Sequence, residues 1–162
     1  MTGNGKLNGK RVLLVDDEPD VLDTLEDLLP DCRTARAESY EEAKQLLESQ
    51  RFDLAILDIM GVSGYELLKI ANSKNVTAVM LTAHALSPDN VVKSFTDGAA
   101  FYIPKEEMIN ISTFLEDVLE AQQKGESTWK RWFERLGNYC EKRFGPDWQK
   151  GDKIFWEKFP FH

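Results

Sequence analysis

The sequence predicts an α/β protein built on a five-stranded parallel sheet with helices on both of its faces. The first observation is that short strand-like runs alternate with segments of helical periodicity, five times before residue 122. The second is that residues suited to helix starts, Pro19, Ser39 and Pro88, stand where such segments would begin. Five strand-then-helix units imply strands that all run in one direction, because each helix returns the chain to the start of the sheet.

Each unit can be assigned from its residues. The strand-like runs, in order, are Val12–Val15, Arg33–Ala37, Leu54–Leu57, Ala78–Leu81 and Phe101–Ile103. The apolar stripes that follow them, in the same order, are Val21/Leu22/Leu25/Leu28/Leu29, Ala43/Leu46/Leu47, Leu67/Leu68/Ala71, Val91/Val92/Phe95 and Ile111/Phe114/Leu115/Val118/Leu119. Each stripe lies on one face of its helix, and we expect that face to pack on the sheet.

Length, charge and cysteine content limit the class of protein. A chain of 162 residues can hold one well-packed domain and an appendage. The net charge of −8 divides into −11 over residues 1–121 and +3 over residues 122–162, so the larger part would repel nucleic acid. No apolar run reaches the ~20 residues that a membrane span needs. The acidic charge therefore predicts no direct contact with nucleic acid. Cys32 and Cys140 have no metal-binding spacing and are typical of reduced thiols, which predicts a cytoplasmic protein.

Polar side chains follow four of the five runs, at the point where each strand would end. They are Asp16, Asp17 and Glu18 after the first run, Asp58 after the third, Thr82 after the fourth and Lys105 after the fifth. In a doubly wound parallel sheet, ligands bind beyond the carboxyl ends of the strands, near the point where strand order reverses. We therefore expect three aspartates, a hydroxyl and an ammonium to converge on one edge of the sheet.

Such a group of carboxylates suits magnesium and phosphoryl chemistry. Like charges in one crevice disfavour joint ionisation unless a cation joins them, and Mg²⁺ takes carboxylate oxygens while sharing its other positions with phosphate. Asp58 stands alone after an apolar run and is the best candidate for a nucleophile that forms an aspartyl phosphate. The adjacent Asp16 and Asp17 are better suited to holding the metal. Lys105 and Thr82 would stabilise the oxygens of the product.

Four motifs carry these residues, and together they resemble the signatures of the response-regulator receiver family. The motifs are Leu14–Glu18, Leu57–Asp58, Leu81–Ala83 and Tyr102–Lys105. They stand in the family's order and nearly at its spacing, and the resemblance covers residues 9–121. It implies a flavodoxin-like, doubly wound sheet with the strand order 2-1-3-4-5.

The resemblance also implies roles for individual residues in two-component phosphorelay signalling. Asp58 would accept a phosphoryl group from a sensor histidine kinase or a phosphotransfer protein. Magnesium would be held by Asp16, Asp17 and Asp58, with the backbone carbonyl of Met60 as a further ligand.

Other residues would carry the response to phosphorylation. By the same resemblance, Lys105 would bridge to the phosphoryl group, Thr82 would move towards it, and Tyr102 would turn inward in concert. The expected result is a shifted conformation that a downstream protein, or a second copy of the chain, recognises. The chain would then be a regulator that assists its own phosphorylation and dephosphorylation, and not an enzyme in the usual sense.

Two features depart from the usual pattern of the family. The stretch 58–64 is shorter than in most relatives and lacks their proline. Lys105 is preceded by Pro104 and followed by Glu106, whereas relatives often place proline directly after the lysine. Both features border the predicted site without removing a reacting group, and they bear on phosphate lifetime and switch geometry. His84 is interpreted as a loop residue that modulates the access of water.

Residues 122–127 are predicted to form a linker, and residues 128–162 an aromatic-rich helical tail that is not a recognisable DNA-binding domain. All four tryptophans lie in this tail, and further aromatic residues follow as far as Phe159 and Phe161. Its first helix carries an apolar stripe formed by Trp129, Trp132, Phe133, Leu136 and Cys140. We expect this stripe to dock on the receiver or to self-associate, ahead of a foreign partner or a membrane surface.

Two other functions use the same residues. A phosphatase of the haloacid-dehalogenase kind also has an aspartate nucleophile, magnesium, threonine and lysine. That family places its nucleophile after the first strand with a second aspartate two residues later, whereas Asp16 and Asp17 are adjacent. The second alternative is a receiver-like module that binds partners without phosphorylation, and the short stretch 58–64 favours it.

Overall fold

The computed structural model describes residues 5–83 and 87–158. His84, Phe159 and Phe161 lie outside these residues. The strands are β1 (Arg11–Val15), β2 (Arg33–Ala37), β3 (Leu54–Asp58), β4 (Thr77–Thr82) and β5 (Phe101–Pro104). The helices are α1 (Pro19–Leu28), α2 (Tyr40–Ser49), α3 (Gly64–Ser73), α4 (Pro88–Thr96), α5 (Ile111–Lys124), α6 (Thr128–Phe144) and α7 (Lys153–Lys158), with 3₁₀ turns at Lys105–Asn110 and Trp148–Asp152.

The five strands form one parallel sheet in the order β2-β1-β3-β4-β5, as predicted. Four of the strands are mostly apolar because helices cover both faces of the sheet, where α1 contacts α5 and α2 contacts α3. The edge strand β2 contains Arg33 and Arg36 and is only partly buried. β3 lies at the centre, and all five of its residues are buried. Asp58 at the end of β3 stands opposite Leu81, and Thr82 at the end of β4 stands opposite Pro104. The carboxyl ends of the three strands therefore share one edge.

Local chemistry fixes where the helices begin. Pro19 and Pro88 occupy the first turns of α1 and α4, as predicted. Ser39 caps α2, since its hydroxyl accepts from the backbone N–H of Glu42 at 3.2 Å, while the Glu42 carboxylate accepts from the backbone N–H of Glu38 at 3.0 Å. This reciprocal pair satisfies two backbone donors that the helix itself cannot.

The interruption before the tail is shorter than the predicted linker over 122–127. α5 continues through Lys124, because Gln122, Gln123 and Lys124 are good helix formers and Gln122 donates to the Thr77 hydroxyl at 3.0 Å. Gly125 then ends the helix in the left-handed conformation, with φ of 69°. Only residues 125–127 separate α5 from α6.

The tail docks on the five-stranded domain, which confirms the first of the outcomes expected for its stripe. α6 packs against α5 and β5. Trp129, Trp132, Leu136 and Cys140 are buried in this contact, whereas Phe133 is 36% exposed. The stripe therefore extends the core of the five-stranded domain, with one edge left open to solvent. Across the described residues, no helix combines the length and apolar character that crossing a bilayer requires.

Candidate functional site

The acidic pair follows β1 directly. Asp16 is fully buried, and its backbone N–H donates to the Ala37 carbonyl at the end of β2. Its Oδ1 accepts from the backbone N–H of Glu18 at 2.9 Å, which orders the turn into α1. Asp17 is exposed. Carboxylate oxygens of Asp16, Asp17 and Glu18 lie within 4.8 Å of one another, a spacing that one cation can bridge.

Asp58 ends the central strand and is 5% exposed. Burial raises the pKa of its carboxyl to about 7, and the nearby charge of Asp16 adds to the shift while Lys105 opposes it. Burial also raises the pKa of Asp16, against the hydrogen bond from Lys105. Both pKa values are raised mainly because burial disfavours the ionised carboxylate and the nearby positive charge does not fully compensate. A bound cation would stabilise the ionised forms and lower both pKa values.

Lys105 reaches three carboxylates at this edge of the sheet, which we call the rim. Its Nζ lies 2.9 Å from Asp16 Oδ2, 3.0 Å from Glu18 Oε1 and 3.7 Å from Asp58 Oδ1. Burial works to lower the pKa of Lys105, but the hydrogen bonds to Asp16 and Glu18 outweigh it and the pKa is raised. The ammonium therefore stays charged and stands beside the predicted nucleophile.

The loop after β3 contacts the acidic pair. A Cβ added to Gly61 would lie 2.6 Å from Asp17 Oδ2, so the Asp17 carboxylate rests against the backbone directly after Met60. The side chain of Met60 is 54% exposed and turned to solvent, which leaves its backbone as the part that belongs to the site. Carboxylates and a backbone carbonyl are hard oxygen donors of the kind that Mg²⁺ prefers. The residues present therefore fit the predicted magnesium ligands.

In the same loop, α3 begins directly against the backbone of Asp58. A Cβ on Gly64 would lie 2.2 Å from the backbone oxygen of Asp58, which no side chain can tolerate. Ser63 precedes it with φ of 56°, a left-handed conformation that non-glycine residues rarely adopt. The turn from β3 to α3 is thus tight, and a side chain at position 64 would clash with the backbone of Asp58.

Thr82 and Tyr102, the predicted switch pair, lie on neighbouring strands. Thr82 is 1% exposed at the end of β4, on the same edge as Asp58. Tyr102 is fully buried in β5, and its hydroxyl accepts from the backbone N–H of Ser87 at 3.4 Å. The structure therefore brings the predicted residues to one end of the sheet, with Tyr102 set back from the rim beneath α6.

Sequence reasoning gave no role to Glu18, Gly61 or Gly64. Glu18 was visible in the first motif, but only the structure shows that it holds Lys105 in place. The need for Gly61 and Gly64 arises from contacts between β1, β3 and α3, which no local pattern reveals. The shortness of the stretch 58–64 was the one available signal that backbone approaches closely there.

Comparison with known proteins identifies the family. The sequence matches the model of the response regulator receiver domain over residues 12–116. The chain belongs to this family, whose members act in two-component signalling systems. The match ends within α5, so α6 and the residues after it lie beyond the family domain.

Relatives occur among plant and bacterial regulators. The chain is 39% identical over 103 residues to the two-component response regulator ARR18 of Arabidopsis thaliana, which covers 60% of this chain and 16% of that protein. It is 34% identical over 101 residues to the heme response regulator HssR of Staphylococcus aureus, which covers 57% of this chain and 43% of that protein. The chain thus spans less than half the length of these curated relatives.

A solved structure gives the same fold. The CheY-like response regulator receiver domain protein from Methanospirillum hungatei JF-1 has a TM-score of 0.66 and 29% sequence identity to this chain. The likeness covers 73% of this chain and 99% of that one. The receiver fold is therefore complete in this protein, and the tail is additional to it.

Proposed function

We propose that this receiver is switched by magnesium-dependent phosphorylation of Asp58, with a sensor histidine kinase or a phosphotransfer protein as donor. The observation that carries the proposal is the position of Asp58. Its carboxylate ends the buried central strand, 3.7 Å from the Lys105 ammonium and beside a group of acidic residues suited to a cation. Adjacent Asp16 and Asp17 resemble the metal holders of the family, not the spaced aspartates of the haloacid-dehalogenase phosphatases.

The transfer follows from this geometry. A carboxylate oxygen of Asp58 attacks the phosphorus of a phosphohistidine, the bond from phosphorus to nitrogen breaks, and its electrons return to the donor imidazole. Lys105 provides positive charge for the phosphoryl oxygens, and the Thr82 hydroxyl lies on the same edge to donate to them. Asp16, Asp17, Asp58 and the Met60 carbonyl would hold Mg²⁺, which neutralises the negative charge that the acceptor and the phosphoryl group bring together.

Phosphorylation would then act as a conformational signal. New contacts to the phosphoryl group favour one of two receiver conformations, with Thr82 and Tyr102 as the residues that move. A downstream protein or a second copy of the chain would recognise the new surface. The net charge of −11 over residues 1–121 makes direct contact with nucleic acid unfavourable. We place this function in the cytoplasm, where histidine kinases present their phosphoryl groups.

Intact-mass measurement after incubation with acetyl phosphate and Mg²⁺ tests the proposal. We expect the wild type to gain the mass of one phosphate and Asp58→Asn to gain none. Asp27→Asn, which removes an exposed carboxylate from α1, is the matched control and should behave as the wild type.

Three other results would redirect the proposal. An undiminished gain in Asp58→Asn would place the acceptor elsewhere. A folded wild type that gains no phosphate would favour a module that binds its partners without phosphorylation. Sustained turnover of a generic phosphate ester would indicate a phosphatase.

A further inference from the structure

A cavity of about 300 Å³ lies between the end of α1, the turn that precedes β1 and the first half of α5. It shares no residue with the candidate phosphorylation site. Leu7 and Leu29, which are 6% and 2% exposed, form its apolar wall together with Leu28 and Pro30. Its volume falls at the lower end of the range for small-molecule sites, and such sites combine an apolar wall with a few polar groups.

The backbone around the cavity is fixed by the fold itself. The N–H of Gly9, in the turn before β1, donates to the Asp31 carbonyl in the loop after α1 at 2.8 Å. In the same loop, the N–H of Cys32 donates to the Leu29 carbonyl at 3.2 Å, and its thiol donates to the Leu7 carbonyl at 3.6 Å. The two segments that enclose the cavity are therefore tied together, and a ligand would find its walls already formed.

The charged groups at the cavity are negative. Asp31 and Glu116 line it, and the lining that the structure describes includes no lysine or arginine. α1 ends beside the cavity at Leu28, with no basic residue in its last turn. The carboxyl end of a helix carries partial negative charge, which a lysine or arginine commonly offsets. An apolar wall thus stands beside a negative potential, and this combination suits an apolar ligand with a positive charge.

Glu116 is available to such a ligand because its neighbours on α5 are already paired within the chain. Glu120 lies 3.8 Å from the Lys6 ammonium and 2.8 Å from Arg131 Nη1. Asp117 lies 2.7 Å from Arg135 Nε. Glu116 is half-buried, and over residues 5–83 and 87–158 it forms no ion pair of this kind.

We propose that this cavity binds a small organic amine. The apolar part of the ligand would lie against Leu28 and Leu29, where its removal from water favours binding. The ammonium would point towards Asp31 and Glu116, and the Ser112 hydroxyl lines the same cavity as a further acceptor. The volume limits the apolar part to one ring or a short alkyl chain. This binding does not depend on phosphorylation of Asp58.

The experiment titrates the full chain with phenethylamine and follows the protein by NMR. We expect a Kd on the order of 1 mM, ordinary for a probe of about nine non-hydrogen atoms. Nuclear Overhauser effects should join the ring protons of the probe to the methyl groups of Leu28 and Leu29. The amide signals of Cys32 and Ser112 should shift, whereas that of Cys140, on the docked face of α6, should not.

Two further probes isolate the contribution of charge. 2-Phenylethanol has the same shape as phenethylamine and is neutral, so it should bind roughly three-fold more weakly or worse. 3-Phenylpropionate carries a negative charge and should cause no shift at the same concentration, because the two carboxylates repel it.

Glu116→Gln removes one of the two charges while keeping the size of the side chain. It should raise the Kd of phenethylamine roughly three- to five-fold, the scale of a partly exposed ion pair, and leave the Kd of 2-phenylethanol unchanged. Asp27→Asn is the matched control. It removes an exposed carboxylate from the last turn of α1, outside the lining of the cavity, and should leave both constants unchanged.

The contrary results are distinct. A wild type that shows no Overhauser effect between the probe and Leu28 or Leu29 overturns the site. Equal affinity for phenethylamine and 2-phenylethanol, or an unchanged Kd in Glu116→Gln, overturns the assignment of an amine. Equal weakening by Asp27→Asn shows general attraction to an acidic surface and also overturns it. Intact mass after acetyl phosphate and Mg²⁺ tests Asp58 separately, so failure here leaves the proposed function standing.

Discussion

The rim of the sheet and the interface beneath the tail bury polar groups in opposite ways. At the rim, Asp16 and Asp58 are both buried, and burial raises the pKa of each carboxyl. The charge of Glu18 adds to the rise in the pKa of Asp16, and the charge of Asp16 adds to the rise in the pKa of Asp58. Beneath the tail, the indole N–H groups of Trp129 and Trp132 are each paired with a backbone carbonyl. Asp117 is likewise paired with the guanidinium of Arg135.

The interface beneath the tail therefore contributes to stability, and the rim contributes to function. Beneath the tail, the contacts shown are complementary, so substitutions there should destabilise the fold. At the rim, charges are held together at a cost, as expected of a site that awaits a cation and a phosphoryl group. Removing charge from the rim should stabilise the protein while abolishing its function. Three substitutions sharpen the comparison.

The largest effect should come from the tail. Trp132→Ala removes a fully buried indole and leaves the Tyr102 carbonyl without its donor, which should lower the free energy of unfolding by about 3–5 kcal/mol. Phe133→Ala, the next residue on α6, is the matched control and should cost about 1 kcal/mol because its ring is 36% exposed. Urea unfolding followed by circular dichroism measures both. Equal losses would show that burial in the docked interface does not set the cost of removing an aromatic ring from α6.

An opposite effect is expected at the rim. With a chelator present, Asp58→Asn should raise the thermal midpoint at pH 8 by roughly 3 °C or more. The sign follows from the raised pKa, which is about 7 in the folded protein against 3.8 for an ordinary aspartate. The folded state keeps its proton while the unfolded state loses it, so wild-type stability falls as pH rises from about 4 to 7. Asparagine is neutral throughout.

The stabilisation by Asp58→Asn should therefore shrink at pH 4 and be largest above pH 7. Magnesium at pH 8 should raise the midpoint of the wild type more than that of the variant, because the variant has lost one carboxylate ligand. Calorimetry at several pH values, with and without the metal, measures these differences. A variant less stable than the wild type at pH 8 without metal would show that the carboxylates do not repel one another at one site.

The smallest effect should come from the ion pair that joins α5 to α6. Arg135→Gln removes two hydrogen bonds to Asp117 but leaves Arg131 Nη1 at 3.6 Å from it, so the loss should be about 1 kcal/mol. Arg135 is itself half-exposed, and the loss should shrink further in high salt. Lys150→Gln, on an exposed pair with Asp147, is the control and should have no measurable effect. A loss as large as that of Trp132→Ala would make charge, not aromatic burial, the main force in docking.

The sequence was sufficient for what depends on local periodicity. All five predicted strands form, in the predicted order, although the edge strand β2 is partly exposed and carries Arg33 and Arg36. The other four were predictable because each is a mostly apolar run that lies buried in the sheet. The stripe from Trp129 to Cys140 predicted the docked face of α6 for the same reason. It did not predict which surface the stripe would meet, since the bonds to Tyr102 and Ala99 join residues 30 positions apart.

Two features of the rim depend on contacts between distant parts of the sequence, so local patterns could not predict them. Glu18 lies 87 positions from Lys105 in the sequence, yet its carboxylate accepts from that ammonium at 3.0 Å. Gly64 is required by the backbone oxygen of Asp58, a contact set by how closely α3 approaches β3. The end of α5 was missed for a simpler reason. Gln122, Gln123 and Lys124 are polar residues compatible with either a linker or a helix, and the contact with Thr77 favours the helix.

A sheet that is not closed has two bare edges, and this chain protects them by different chemistry. An edge strand offers unpaired backbone groups on which a strand of another molecule can assemble. β2, at one edge, carries the charged residues Arg33 and Arg36, which discourage such pairing. β5, at the other, is covered by α6, where the indole N–H of Trp132 donates to the carbonyl of Tyr102 in the strand and that of Trp129 donates to the carbonyl of Ala99 just before it. A chain that loses its tail would thus bare one side of its sheet to aggregation, and the charged side would remain guarded.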